Sequence, residues 1–274
     1  TFLIITSPYN ISVMATIIAE HITDNTEYKD CKIQSAVLGE TRKLIVKLPN
    51  GYGQEEDVQY PVVYVIGSSG LMSQISNDVD LLNRTGYLEK MILVCVTTEN
   101  AKGRRRDLTP PFLFQELDKK NSPKGEADQF LEYIEKEAIP FVNTKFATNS
   151  DKLILGHSRE GLFTMYSMIA RPDLFTGHIA LSPALWRENE LFIDKMGGFL
   201  NSRDSSGGFL YMSIGDAEVA KMKNAFDKMG NLLSTSSNSP EWISQYIEGA
   251  THQTNHYLSA TIGIVNYFDR KKLR

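Results

Sequence analysis

The chain has 274 residues, 42% of them hydrophobic, with a formal net charge of −4 and a pI near 5.8. That is enough apolar material for one sizeable core, and the slight acidity offers no basic face of the kind nucleic acid selects. No apolar run approaches the ~20 residues that a membrane-spanning helix needs, so no membrane span is expected. Two cysteines, Cys31 and Cys95, are too few for a disulfide framework, and no Cys/His spacing suits zinc; no metal or other cofactor is implied. The apolar stretch at residues 2–5 is shorter than a secretory apolar segment. Because position 1 is Thr rather than Met, prior loss of a leader or tag is an open expectation, and cytoplasmic, periplasmic and secreted settings all remain open. Residues 1–29 read as an N-terminal extension to one domain spanning 1–274; nothing in the sequence speaks to oligomeric state.

In chain order, "CKIQSAVL" and "RKLIVKLP" alternate in polarity around Gly39-Glu40-Thr41 and predict an antiparallel hairpin. "YPVVYVIG", "MILVCVTT", "KLILG", "GHIALS" and "GFLYMSIG" are nearly continuous aliphatic runs. Such runs suit central strands of a parallel sheet, buried on both faces, and a packed thiol is expected of Cys95. "PEWISQYIEG" adds a last strand. Between them, "EADQFLEYIEKEAIPFVNTKF" puts Phe130, Tyr133, Ile134 and Ile139 on one helical stripe. "GLFTMYSMIARP", "EVAKMKNAFDKMGNLL" and "YLSATIGIVNYF" supply further helices, while "RDSSGG" and "STSSNSP" read as loops. Strands alternating with helices predict an α/β fold with crossover connections: a mostly parallel eight-stranded sheet with helices on both faces.

The most informative stretch is "LILGHSREGLF", residues 153–163. A strand, Gly-x-Ser and then a helix is the context in which a serine is exposed on a sharp turn, with helix N–H groups facing a developing oxyanion. Ser158 is therefore the candidate nucleophile, and the N–H of Arg159 a candidate oxyanion donor. A serine hydroxyl needs a base, and the base should come late in such a chain. His21 precedes the core strands, His157 lies in the turn itself and His178 within a strand. His252, in the loop after the last strand, is the candidate base, and His256 reads as a residue of the final helix. The acid that orients the imidazole should follow "GFLYMSIG", where Asp216 and Glu218 are both available. One of them would be the triad acid and the other a helix cap. "YVIGSSGLM" offers the backbone amides of Ser68 or Ser69 as second oxyanion donor. The difficulty is Glu160, which stands two residues after the serine where a small residue normally packs.

With these pieces in hand, the chain resembles the putative-esterase family of α/β-hydrolases, which includes enterobactin-esterase-like enzymes and has S-formylglutathione hydrolases among its relatives. The likeness runs from about residue 30 to 270, and "LILGHSREGLFTMYSMIARPDLFTGHIALSPALW" carries most of it, with "RRRDLTPP" and "YMSIGDAE". The resemblance implies the α/β-hydrolase fold, a small-molecule ester as substrate, Ser158 as nucleophile, His252 as base and an acid from the Asp216/Glu218 segment, Glu218 aligning slightly better. It also implies that Arg106 and Asp107 flank the substrate cleft and that Trp186 is an aromatic at its mouth. Two departures stand out: Gly67-Ser68 where family members usually carry Asp-Gly, and Glu160 where they carry a small residue.

Two functions follow as expectations. The first is a serine hydrolase cleaving carboxylic esters through an acyl-enzyme, of siderophore type or with short acyl groups. The second, motivated by Glu160 and the altered "GSSG" loop, is a weakened hydrolase fold that binds a ligand. Arg104-Arg105-Arg106 reads as a solvated loop in preference to a basic lip, Phe112 and Phe114 as packing residues, and Glu248 as surface.

Overall fold

The computed structural model describes residues 23–25 and 28–272, apart from 55, 99, 118, 120 and 203–207. Most of the predicted extension, with His21, and most of the "RDSSGG" loop lie outside the described residues. Nine strands are found among the described residues: β1 (Thr23–Asn25), β2 (Tyr28–Gln34), β3 (Thr41–Lys47), β4 (Tyr60–Ile66), β5 (Ile92–Val96), β6 (Thr148–His157), β7 (Gly177–Leu181), β8 (Phe209–Gly215) and β9 (Glu241–Ile247). They form one sheet in the order β1-β2-β3-β5-β4-β6-β7-β8-β9. β1, β2, β3 and β5 pair antiparallel in sequence along the edge, and from β5 through β4 to β9 every pairing is parallel.

The α/β-hydrolase architecture is as expected, with one strand more than the predicted eight. β1 is three residues of Thr, Asp and Asn, too short and too polar to carry an alternation signal. Its pairing with β2 means that the sheet reaches into what reads as extension. The central strands β4, β5, β7 and β8 are buried at every position, which is why they read as unbroken apolar runs.

Alternate residues of those strands feed two cores. Tyr64, Ile154, Ala180 and Met212 face one layer, made by α2 (Ala101–Leu108), α3 (Ala127–Tyr133), α4 (Ile139–Lys145), α5 (Arg159–Ala170), α6 (Leu191–Asn201) and α7 (Ala220–Thr235). Val63, Val65, Leu155 and Ile179 face the other, made by α1 (Ser69–Arg84) and α8 (Asn255–Lys272). The methionines of α5 are core, Cys95 is buried, as expected of a packed thiol, and Cys31 is buried as well.

Two segments differ from their predicted form. The helix expected over 126–146 is broken by a π-helical turn, Ile134–Ala138, in which the Ile139 N–H reaches back to the Ile134 carbonyl. Pro140 lies just beyond; its ring cannot donate and crowds the preceding turn, so the widened turn relieves the helix there. Phe130, Tyr133, Ile134 and Ile139 are nonetheless all buried.

Residues 104–106 are not a solvated loop but part of α2, started by Asn100, whose side chain accepts from the N–H groups of Lys102 and Gly103. Each arginine is held by a carboxylate. Arg104 binds Glu160, Arg105 binds Glu116, and Arg106 binds Asp107 at 2.7 Å and Glu40 at 2.6 Å. Asp107 also meets Arg42 of β3 at 2.6 Å, and both side chains are almost wholly buried. Losing Asp107 would leave the buried Arg42 with Glu40, which it meets at 2.5 Å, as its remaining carboxylate, a costly change in the interior. Asp107→Ala is therefore expected to cost ~3–5 kcal/mol in urea unfolding, whereas a loss of under ~1 kcal/mol would mean that Glu40 alone satisfies Arg42.

Candidate active site

The turn from β6 into α5 holds Ser158 at φ +61° and ψ −112°, a conformation few non-glycine residues adopt. It is kept there by its own N–H donating to the Leu181 carbonyl and by its carbonyl accepting from the N–H groups of Leu162 and Ala184. Gly156 is required on one side of the turn: a Cβ there would lie 2.4 Å from the Glu160 carbonyl oxygen. Ser158 Oγ is consequently presented at the carboxyl edge of the sheet, where α/β folds collect their ligands.

His252 comes to that edge from the loop between β9 and α8. Its Nε2 is 3.0 Å from Ser158 Oγ, and its Nδ1 is 3.0 Å from Glu218 Oε2. Glu218 follows β8 and its side chain is fully buried. Ser182 Oγ donates to Glu218 Oε1 at 2.5 Å and the Gly215 N–H donates to the same oxygen at 3.1 Å. Burial pushes the Glu218 carboxyl pKa up, but the bonds from His252, Ser182 and Gly215 outweigh it and hold the pKa below the ordinary carboxylate value. Asp216, the other candidate acid, is not brought to His252: its side chain is exposed, and its backbone carbonyl accepts from Lys223. The sequence left the two acids open because both lie within three residues of the strand end.

Ser182 was not legible as a functional residue, nor was Asn255. Ser182 has φ +44° just past β7, and Asn255, the first residue of α8, donates through Nδ2 to Ser182 Oγ at 2.8 Å and to Ser213 Oγ at 3.0 Å. Ser213 in turn meets Ser259 of α8 at 2.8 Å. All four side chains are buried, so this polar chain ties the last helix to the strand ends beneath Glu218. The one available signal was polar residues at the ends of otherwise apolar strands.

The other described histidines, His157, His178 and His256, are also placed. His157 stacks on His256 with ring centroids 4.1 Å apart and lies 4.6 Å from His252. Burial, together with the two neighbouring imidazoles, pushes the His157 pKa down to about 3. His178 is buried inside β7 and is likewise pushed down, to about 4.

Beside the β6–α5 turn lies a pocket of about 370 Å³ lined by Gly67, Ser68, Ser69, Arg104, His157, Glu160 and neighbours. Ser68 caps α1, its Oγ accepting from the Leu71 N–H, and Ser69 is the first residue of that helix. Neither backbone N–H has an acceptor within the helix. The same holds for the Arg159 N–H at the start of α5. The Arg159 side chain turns away, donating to Thr109 Oγ1 and to the Gln115 carbonyl, and burial with nearby arginines lowers its pKa to about 10. The Arg106 guanidinium is engaged by Asp107 at 2.7 Å and by Glu40 at 2.6 Å. Trp186 lies two residues beyond Ala184, with Lys221 Nζ 3.9 Å above its ring. Phe112 packs into the core, whereas Phe114 is exposed and carries Lys124 on its ring. Among the described residues no His, Cys, Asp and Glu cluster has the makings of a metal site, and no helix is long and apolar enough to cross a membrane.

A mostly parallel sheet with the serine at the β6–α5 turn, the acid after β8 and the histidine after β9 is the layout of an α/β-hydrolase. The chain belongs to the Putative esterase family, whose model matches residues 35–257. It is similar to ferri-bacillibactin esterase BesA of Bacillus subtilis, at 27% identity over 156 residues, 52% of this chain and 54% of that protein. It is also similar to siderophore triacetylfusarinine C esterase of Aspergillus fumigatus, at 30% identity over 109 residues, 39% of this chain and 36% of that protein. The matched segment thus spans about half or less of these relatives. Among solved structures, an IroE-like serine hydrolase from Shewanella oneidensis superposes with a TM-score of 0.78 at 26% identity, covering 89% of this chain and 81% of that one.

A pH-dependent consequence follows from the bonds on Glu218. A carboxylate with a depressed folded pKa contributes stability that is present above its unfolded value and lost as pH falls through its folded value. Removing a donor raises the folded pKa. Ser182→Ala should therefore destabilise the protein most at neutral pH. Measured by thermal unfolding, its deficit relative to wild type should shrink as pH drops below the ordinary carboxylate value of 4.5. A deficit independent of pH would assign the loss to Asn255 alone.

Proposed function

We propose that this protein is a serine esterase that cleaves carboxylic esters through an acyl-enzyme. The observation that carries the reading is the hydrogen-bond chain from Ser158 Oγ through His252 to Glu218, with both links at 3.0 Å, in a member of an esterase family. Ser158 Oγ attacks the ester carbonyl carbon while its proton passes to His252 Nε2, and the carbonyl π pair moves onto oxygen. Glu218 stabilises the imidazolium through Nδ1. The backbone N–H groups of Arg159 and of Ser68, or Ser69 in its place, receive the oxyanion. Collapse breaks the C–O bond, and His252 returns the proton to the departing alcohol. Water, deprotonated by the same imidazole, then repeats the sequence and frees Ser158.

The relatives named siderophore esterases support a polar, siderophore-type ester as substrate, with simple short-acyl esters as the alternative. Trp186, with Lys221 over its ring, is our candidate for a substrate contact at the mouth. Arg106 we assign to anchoring α2, because two carboxylates occupy it. The rival reading, a ligand-binding protein with a disabled turn, depended on Glu160 disrupting the serine. Glu160 is instead accommodated by Arg104 while Ser158 keeps its bond to His252, which favours catalysis.

Turnover of p-nitrophenyl acetate and butyrate by wild type, Ser158→Ala, His252→Ala and the double variant tests this. Each single change should cost about a thousandfold or more in kcat, and the double about as much as either alone, because the residues act as one unit. Wild-type-like turnover by Ser158→Ala would reject the reading.

A further inference from the structure

The two departures from the family pattern, at positions 67 and 160, meet in space. Glu160 is the second residue of α5 and is only 8% exposed, so a carboxylate is buried at the positive end of the helix whose N–H groups face Ser158. Its oxygens are both taken by Arg104 of α2: Nε meets Oε1 and Nη2 meets Oε2, each at 2.5 Å. Burial works against the charge of Arg104, but the bonds to Glu160 and its charge more than offset this and raise the Arg104 pKa above its ordinary value. The same carboxylate lies directly against Gly67. A Cβ at position 67 would stand 2.9 Å from Glu160 Oε1 and 3.1 Å from its Cγ. Gly67 itself has φ +81°, and its N–H is fixed on the Val96 carbonyl at 2.9 Å, which sets the direction of the following residue, Ser68. The pair therefore touches both sides of the candidate oxyanion site, the start of α5 and the loop after β4.

We propose that Arg104 is a charge-compensating residue for the oxyanion site that acts through Glu160: it neutralises the Glu160 carboxylate packed against Gly67. A lone carboxylate there would oppose the negative charge that develops on the substrate oxygen, and that charge appears in the transition state rather than in the bound ester. Glycine at 67 makes room for Glu160, and Arg104 cancels its charge, so the three residues are one unit. The inference rests on the serine-esterase reading.

The test measures kcat and KM for p-nitrophenyl acetate, and the rate of labelling by a fluorophosphonate, in Arg104→Met, Glu160→Gln, the double variant and Arg104→Lys, with Ser158→Ala alongside. Arg104→Met should lower kcat and the labelling rate by about 100-fold, the size of a lost oxyanion contact, with KM little changed. Glu160→Gln should stay within about fivefold of wild type, and the double variant should recover to the Glu160→Gln level, because the unbalanced charge has gone. A double variant no faster than Arg104→Met, or an Arg104→Met enzyme as fast as wild type, would overturn the proposal. Should Arg104→Met fail to fold, Arg104→Lys and the double variant carry the test: both should remain within about tenfold of wild type, and a ~100-fold loss in either would overturn it. Ser158→Ala separates the two ideas. If it hydrolyses the ester as wild type does, the esterase reading fails; if it is inactive and the double variant does not recover, only the role of Arg104 fails.

Discussion

A carboxylate with no exposed side-chain surface, Glu218, is the constraint on which the rest of the site depends. Burying an ionised group is tolerable only when donors surround it. Here they come from three parts of the chain: the imidazole of His252, the hydroxyl of Ser182 and the N–H of Gly215. Satisfying Glu218 therefore fixes the loop after β9 against the ends of β7 and β8. The orientation of His252, and through it the hydrogen bond to Ser158, follows from that packing.

The parallel sheet makes this arrangement possible by ending successive strands at one edge. Ser158 follows β6, Ser182 follows β7, Glu218 follows β8 and His252 follows β9, in the same order in the sheet as in the chain. Asn255 closes the edge by bonding Ser182 and Ser213 from the start of α8, so the helix that covers the second core also braces the site. At the start of α5 the solution is again a buried carboxylate with a dedicated partner, Glu160 with Arg104. Two buried acids thus follow two strands of the sheet: one bound to the imidazole, the other paired with a guanidinium.

Much of this was legible in the sequence because it follows from pattern. The apolar runs of the central strands announced a buried parallel sheet, the strand, Gly-x-Ser and helix succession nominated Ser158, and chain order nominated His252. What was not legible depended on contacts between distant segments. Residues 104–106 look like a solvated basic run until the carboxylates of Glu160, Glu116, Asp107 and Glu40 are seen beside them. Glu160 looks like damage until Gly67 and Arg104 are seen to accommodate it. The choice between Asp216 and Glu218 turned on which side chain the turn after β8 points inward, and the roles of Ser182 and Asn255 on a hydroxyl and an amide meeting across 73 residues of sequence. β1 escaped notice because three polar residues carry no periodicity.

The central claim is that the β6–α5 turn presents Ser158 as a working nucleophile despite Glu160. It is tested most directly by treating the protein with a fluorophosphonate and mapping the adduct by peptide mass spectrometry. The account predicts a single stoichiometric adduct on Ser158, abolished when His252 is replaced by alanine. A folded protein that acquires no adduct, or acquires one on another residue while Ser158 stays unmodified, would contradict it.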